Sequence, residues 1–190
     1  MNLLIKRIID VFSSFIGIVI LFPLWLIVSI LIKLESNGSV LYKHVRLGKD
    51  GNKFTCFKFR SMYVGSDENT LVSNPQDQRV TKIGKFLRKT SFDETPQLIN
   101  VLFGDMSIVG PRPALPSQAE EFKKNDFDKL LVKPGLTGLT QVSGRNAIPY
   151  EKRMELDAWY AKNWSLFLDF KILFKTLFVL FKQEGIYDVK

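Results

Sequence analysis

Between Val11 and Ile32 the chain carries no charged residue. As a helix that run reaches about 33 Å, enough to cross a hydrocarbon core of about 30 Å. It is long for the apolar core of a signal peptide, and no small-x-small cleavage site follows, so a removed leader is rejected. Pro23 lies near its centre, where proline removes a helical hydrogen bond and kinks the axis. Both flanks are basic: Lys6 and Arg7 before, then Lys33, Lys43, Arg46 and Lys49 after. A simple crossing wants its cations on one side only. Two readings are open, a helix that bends at Pro23 and leaves by the face it entered, and a single kinked span. Either anchors the chain in a membrane.

The rest is far less apolar. Mean hydropathy over 190 residues is +0.03, which excludes a polytopic membrane protein. The expected organisation is a membrane helix at 1–33 and one further domain at 34–190, with interfacial amphipathic helices near 150–182. The net charge of +8 calls for an anionic partner. The aromatics stand in apolar runs instead of alternating with cations, which speaks against nucleic acid. One cysteine, Cys56, and one histidine, His44, exclude an internal disulfide and a Cys/His zinc cluster; His44 is expected to be structural.

Two short strands, 40–47 and 53–60, flank the Asp50-Gly51 turn signal and predict a hairpin. Alternation puts Phe57 and Phe59 on one face and Lys58 and Arg60 on the other, where a solvated strand face is the bland reading. Residues 64–80 are polar and turn-rich. Helices are expected at 82–89 and about 93–103, a short strand at 107–109, and helical structure over 114–124 and beyond Tyr150. The glycine-rich stretch 133–146, which includes Gln141 and Arg145, could bring backbone N–H groups to a phosphate. It lacks the spacing of a known phosphate loop, and a tight structural loop explains it equally. In 164–182, plotted at 100° per residue, Lys171, Lys175 and Lys182 share one stripe and Ser165, Asp169 and Thr176 another. An interfacial helix with snorkelling lysines fits, as does a core helix.

The chemistry concentrates at Asp93-Glu94, preceded by a basic segment (Lys82, Lys85, Arg88, Lys89) and followed by Pro111-Arg112-Pro113. Ser91-x-x-Glu94 reads as a capping box, and capping alone would account for acids in a first turn. The functional reading has a carboxylate attacking phosphorus, with Mg²⁺ held by its neighbour and by substrate phosphates to offset the repulsion between anions. Arg88, Arg112 and Arg145 are suited to gripping phosphate oxygens, and two prolines stiffen the backbone that carries Arg112. A glycosidase pair is less apt, because sequence neighbours rarely face each other across a sugar.

Taken together the chain resembles the bacterial sugar transferases, the monotopic phosphoglycosyl transferases, in their minimal form. The resemblance is carried by Lys6-Arg7-Ile8-Ile9-Asp10, Lys58-Phe59-Arg60-Ser61-Met62, Arg88 and Ser91 to Gln97. It continues through Gly104 to Pro113, Pro134 to Gly138, Gly144-Arg145-Asn146, Asp157, Tyr160 and Asp169. It implies an α+β, mostly helical fold with a re-entrant N-terminal helix broken at a proline, a short hairpin, catalytic helices and interfacial helices. It implies transfer of a phosphosugar from a UDP-sugar to undecaprenyl phosphate at the cytoplasmic face of the bacterial inner membrane, with release of UMP. Asp93 would be the nucleophile of a covalent phosphosugar intermediate, and Glu94, with Asp93, would hold Mg²⁺. Lys58, Arg60, Arg88, Pro111, Arg112, Pro113, Gln141 and Arg145 would bind substrate, and Asp157 and Asp169 would shape the site. Lys6, Arg7, Asp10 and Pro23 would belong to the membrane element. Relatives often carry Ser-Pro at the bend where this chain has Phe22-Pro23, so Ser13, Ser14 or Ser29 would have to compensate. Ala114 to Gln118 looks like users of N-acetylated, deoxygenated sugars. Two other classes compete: a membrane-bound phosphohydrolase using the same carboxylate, and a non-enzymatic basic module.

Overall fold

A computed structural model describes residues 2–66, 77–144 and 147–182. Arg145 and most of the polar stretch expected as a loop at 64–80 lie outside them. The apolar run forms α1, Asn2–Glu35, with Pro23 inside it. It is the one described helix long and apolar enough to cross a membrane. Proline leaves the carbonyl four residues back, that of Val19, without its usual donor. Neither Ser14 nor Ser29 reaches it: Ser14 Oγ donates to Val11 O and Ser29 Oγ to Trp25 O.

The hairpin forms as expected from β1, Leu41–Leu47, and β2, Lys53–Phe59, antiparallel with Leu41 opposite Phe59 and His44 opposite Cys56. Asp50 and Gly51 both take positive φ, 57° and 76°, the left-handed pair that a tight right-twisted hairpin demands. Phe59 packs with Val28, Ile32 and Leu87, binding the hairpin to α1 and to α2, Lys82–Thr90. From α3, Gln97–Phe103, the fully buried Asn100 grips β2: its Nδ2 donates to Thr55 O at 2.7 Å, and its Oδ1 accepts from Phe57 N at 3.1 Å.

The helix expected over 93–103 is divided. Ser91 adopts the left-handed conformation (φ 57°, ψ 18°) that terminates α2, so it cannot also take the extended backbone of an N-cap, and its side chain makes no capping bond to the next turn. Phe92–Glu94 is a 3-10 turn. Pro96 brings no N–H, and α3 starts after it. The stretch 114–124 likewise holds a 3-10 turn, Pro116–Glu121, and a second one comes at Asp126–Leu131.

The glycine-rich stretch is a strand and a packing device. β3, Ser107–Val109, pairs in parallel with β4, Gly135–Thr137. A Cβ on Gly135 would lie 2.0 Å from Gly110 N, and one on Gly138 would lie 2.1 Å from Gly110 O. These glycines bring backbone against backbone. Beyond β4 come α4, Leu139–Val142, α5, Tyr150–Asn163, and α6, Leu166–Lys182. Val109, Tyr160 and Ile172 form the core beneath them.

Candidate active site

α2 and α3 present the turn Phe92–Glu94 between them, and the Phe92 ring stacks on Phe59 with centroids 6.1 Å apart. This fixes the two carboxylates in different surroundings. Asp93 is 9% exposed and makes no side-chain hydrogen bond among the described residues. Glu94 Oε1 accepts from Lys58 Nζ at 2.6 Å and from Arg112 Nη2 at 3.0 Å.

The electrostatics separate the pair. Burial, reinforced by the negative charge of Glu94, pushes the Asp93 carboxyl up to about 6, against the opposing pull of Lys58, Arg88 and Arg112. Burial also works against ionised Glu94, yet Arg112 and Lys58, by charge and by hydrogen bond, hold it well below the usual carboxylate range. One acid is therefore permanently charged and doubly clamped. The other is poised near neutrality with its oxygens uncommitted. A carboxylate so placed can act as a nucleophile toward an electrophile drawn in by the cations.

The structure brings together Asp93, Glu94, Lys58, Arg88 and Arg112 from the residues expected at a site. Arg88 lies in the last turn of α2, its Nε donating to Ser61 Oγ at 2.9 Å while its charge acts on Asp93. Pro111 is buried and Pro113 half-buried, one on each side of the half-exposed Arg112. Gln141 is 8% exposed, with both amide atoms buried and without a hydrogen-bond partner among the described residues; its Oε1 lies beside Gly138, which is packed against Gly110.

Several expected residues are placed elsewhere. Arg60 is buried and turned to the end of α1, its Nη1 donating to Asn37 O at 2.7 Å and its Nη2 to Ser36 O at 2.7 Å. In this position it clamps the end of α1. Asp157, 2% exposed, is ion-paired to Lys129 at 2.8 Å and accepts from Thr140. Asp169 accepts from Tyr160, Trp164 and Lys6. The N-terminal residues expected at the membrane flank are tied to the domain. Lys6 pairs with Asp169, Arg7 donates to Val101 O and Leu102 O, and Asp10 accepts from Ser107 Oγ and Ile108 N.

Sequence reading missed Arg46 and His44 as neighbours of the site. In the hairpin register Tyr42, His44 and Arg46 share a face with Lys58, and the charges of Glu94 and Arg112 act on both His44 and Arg46. Strand alternation carried that signal once the hairpin was placed.

For Mg²⁺ the described residues offer one adjacent carboxylate pair and no cluster of three or more His, Cys, Asp or Glu. That donor set fits a magnesium site completed by substrate phosphates and water, since Mg²⁺ commonly takes only one or two protein carboxylates.

The family model described as "Bacterial sugar transferase" matches residues 1–183. The UDP-galactose-lipid carrier transferase of Erwinia amylovora is 44% identical over 96% of this chain and 42% of its own length. The undecaprenyl-phosphate galactose phosphotransferase of Salmonella typhimurium is 41% identical, again over 96% of this chain and 42% of its own length. The exopolysaccharide production protein ExoY of Rhizobium meliloti is 40% identical over 96% of this chain and 88% of its own length. The chain thus spans about two fifths of the first two relatives and most of the third.

Proposed function

The chain belongs to the bacterial sugar transferase family, and from that premise we propose that it moves a sugar phosphate from a UDP-sugar to undecaprenyl phosphate at a membrane surface. The observation that carries the reading is the divided carboxylate pair: Asp93 without a hydrogen bond among the described residues and poised near neutrality, Glu94 clamped by Lys58 and Arg112. In the first step an Asp93 oxygen attacks the phosphorus bearing the sugar, a new P–O bond forms, and the bond to the UMP oxygen breaks. In the second step a phosphate oxygen of the lipid attacks that phosphorus, the Asp93–phosphorus bond breaks, and the carboxylate is regenerated. Arg112 and Arg88 offer donors for phosphate oxygens, and Glu94 with Asp93 would hold Mg²⁺. When bound, the ion neutralises charge between carboxylates and phosphates.

One substrate is soluble and the other embedded, so the site must sit at the interface. Lys6, Arg7 and Asp10 near one end of α1 hold α6, α3 and β3, while Glu35 at the other accepts from the N–H groups of Lys82 and Ile83. A helix with both ends fastened to one globular body favours entry and exit by the same membrane face over a crossing. Phe12, Phe15 and Ile20 on α1, and Phe167, Phe170, Phe174 and Phe178 on α6, are all more than half exposed, an apolar belt suited to lipid. The cytoplasmic face of the inner membrane is where UDP-sugars would reach such a site.

Intact-mass analysis tests the reading. Protein in detergent with Mg²⁺ and a panel of UDP-sugars should gain the mass of one phosphosugar, and Asp93→Asn should not. UMP release with lipid phosphate but no adduct would mean direct transfer; turnover without lipid would mean a phosphohydrolase. The panel includes galactose and glucose, named in the relatives, beside N-acetylated deoxy sugars. The stretch 114–118 that prompted the latter is tied to β1, where Leu47 N donates to Ala114 O, and is closed on itself by Leu115 N donating to Gln118 Oε1.

A further inference from the structure

We propose that Arg46 is a further anion-binding residue of this site, taking a phosphate oxygen of one of the two phosphorylated substrates with His44 beside it. The inference rests on the transferase reading and adds a residue to it. Lys58 and Arg112 are engaged with Glu94, Arg88 with Ser61, and Arg60 with the end of α1. Arg46 alone of these cations makes no hydrogen bond or ion pair with any described residue, although it is only partly exposed. His44, two residues before it on the same strand face, has both ring nitrogens buried and unpartnered among the described residues.

The buried, unpartnered His44 ring beside a partly exposed guanidinium that the described residues leave unpaired suits a ligand from outside the fold. The chemistry of that ligand is set by its surroundings. Arg46 offers a guanidinium fork suited to paired phosphate oxygens. Burial and the nearby Arg46 and Lys58 hold the His44 ring down at about 3, so it is neutral and supplies one N–H donor and no charge. Burial, together with the repulsion between Arg46 and Arg112, lowers the Arg46 guanidinium to about 10, and an anion between the two would relieve it. Lining one strand face with Lys58, Arg46 extends the cationic surface around Glu94 along β1, away from Arg88. A diphosphate or a lipid phosphate both present the required oxygens.

The test uses the full chain in detergent and the variant Arg46→Gln, with UDP and a short-chain polyprenyl phosphate as separate ligands. Calorimetric Kd values are read for each, with steady-state KM values for the UDP-sugar and the polyprenyl phosphate, and unfolding midpoints in the absence of ligand. The expected result is a loss of about tenfold or more in affinity for at least one ligand, and a matching rise in KM for that substrate. The ligand-free midpoint should be unchanged or higher, because a partly desolvated cation repelled by Arg112 is removed. Loss on the UDP arm assigns Arg46 to the nucleotide sugar, and loss on the lipid arm to the acceptor. Unchanged Kd for both in an active protein overturns the inference and leaves the transferase reading intact. A lowered midpoint with no ligand-specific loss also overturns it, since that is the signature of a packing role. Wild-type protein that binds neither ligand and turns nothing over overturns both.

Discussion

The Trp25 indole, two residues past Pro23 in α1, donates its N–H to Thr95 Oγ1 at 3.0 Å, one residue after Glu94. The apolar helix is therefore fastened directly to the turn that carries the two carboxylates, and Thr95 passes the restraint on by donating to Phe92 O at 2.8 Å. Trp25→Phe keeps an aromatic ring against Phe59, whose centroid lies 6.1 Å from the indole edge to face, and deletes only the N–H. Loss of such a bond costs about 1 kcal/mol. Thermal unfolding in detergent should show that small drop, while turnover falls further than stability does because the turn is no longer held. Equal activity at saturating substrate would show that the anchor does not position the site.

Asp93 sets a pH dependence whose sign can be worked out. Its carboxyl is raised from 3.8 to about 6 in the folded protein, so the folded state binds the proton more tightly than the unfolded chain does. The stability contributed by protonated Asp93 is present in full below about pH 4 and is lost as pH rises through about 6. Asp93→Asn should therefore raise the unfolding midpoint at pH 7.5, by on the order of 2–3 kcal/mol, with the gain vanishing toward pH 4. Activity runs the other way, since the nucleophile must be ionised. The rate of adduct formation should climb through an apparent pKa near 6 and level off above about pH 7.

Lys58 opposes the rise at Asp93 and clamps Glu94. Lys58→Gln removes a positive charge that favours the ionised form of each. The acid limb of the adduct-formation profile should move upward from its wild-type position. Because Lys58 and Glu94 are each only 18% exposed at the side chain, salt should screen the effect only weakly. A limb that stays in place would mean that Lys58 contributes geometry alone.

The hairpin, α2, the apolar helix and the acid pair were legible in the sequence because each rests on local signals: a left-handed Asp-Gly turn, alternation, a charge-free run, and neighbouring charges. The start of α3 was misplaced because two locally plausible signals, the apparent capping box and Pro96, overlap on one segment. The left-handed end of α2 at Ser91 removes the first of them. The strand at Ser107–Val109 was expected, but its partner Gly135–Thr137, three residues in a glycine-rich stretch, is too short for periodicity to register. Arg60 and Lys6 looked like site or membrane cations because nothing local reveals what a long side chain reaches. Arg60 finds carbonyls just past the end of α1, more than twenty residues away in sequence, and Lys6 finds an aspartate near the far end of the chain.

Arg60 can be separated from the substrate-binding cations by experiment. Its guanidinium holds Ser36 O, Ser36 Oγ and Asn37 O where α1 ends, and Lys, with one ammonium, cannot serve that fan of acceptors. Arg60→Lys should lower the stability read from the unfolding midpoint by about 2–3 kcal/mol, with KM for either substrate unchanged in the folded fraction. A rise in KM at unchanged stability would return Arg60 to the site.

At Asp169, α1 meets α6 in a buried polar knot. Asp169 is 6% exposed and is held by Lys6 Nζ at 2.5 Å, Tyr160 Oη at 2.6 Å and Trp164 Nε1 at 3.0 Å. Lys6 Nζ also donates to Val109 O, so the same ammonium reaches β3. Removing one partner strands the other's charge in a low-dielectric site, which costs about 3–5 kcal/mol. Lys6→Met should therefore unfold or release α1 at temperatures the wild type tolerates. The Asp169→Asn change alone should be comparably harmful, because it leaves the ammonium unpaired. Combined, the two changes remove both charges and should cost less than the sum of the single effects; the asparagine retains a carbonyl for the tyrosine and indole donors. A double-mutant cycle read by thermal unfolding measures that coupling. Strict additivity would mean that the ion pair adds nothing and that the neutral hydrogen bonds of Tyr160 and Trp164 hold the anchor by themselves.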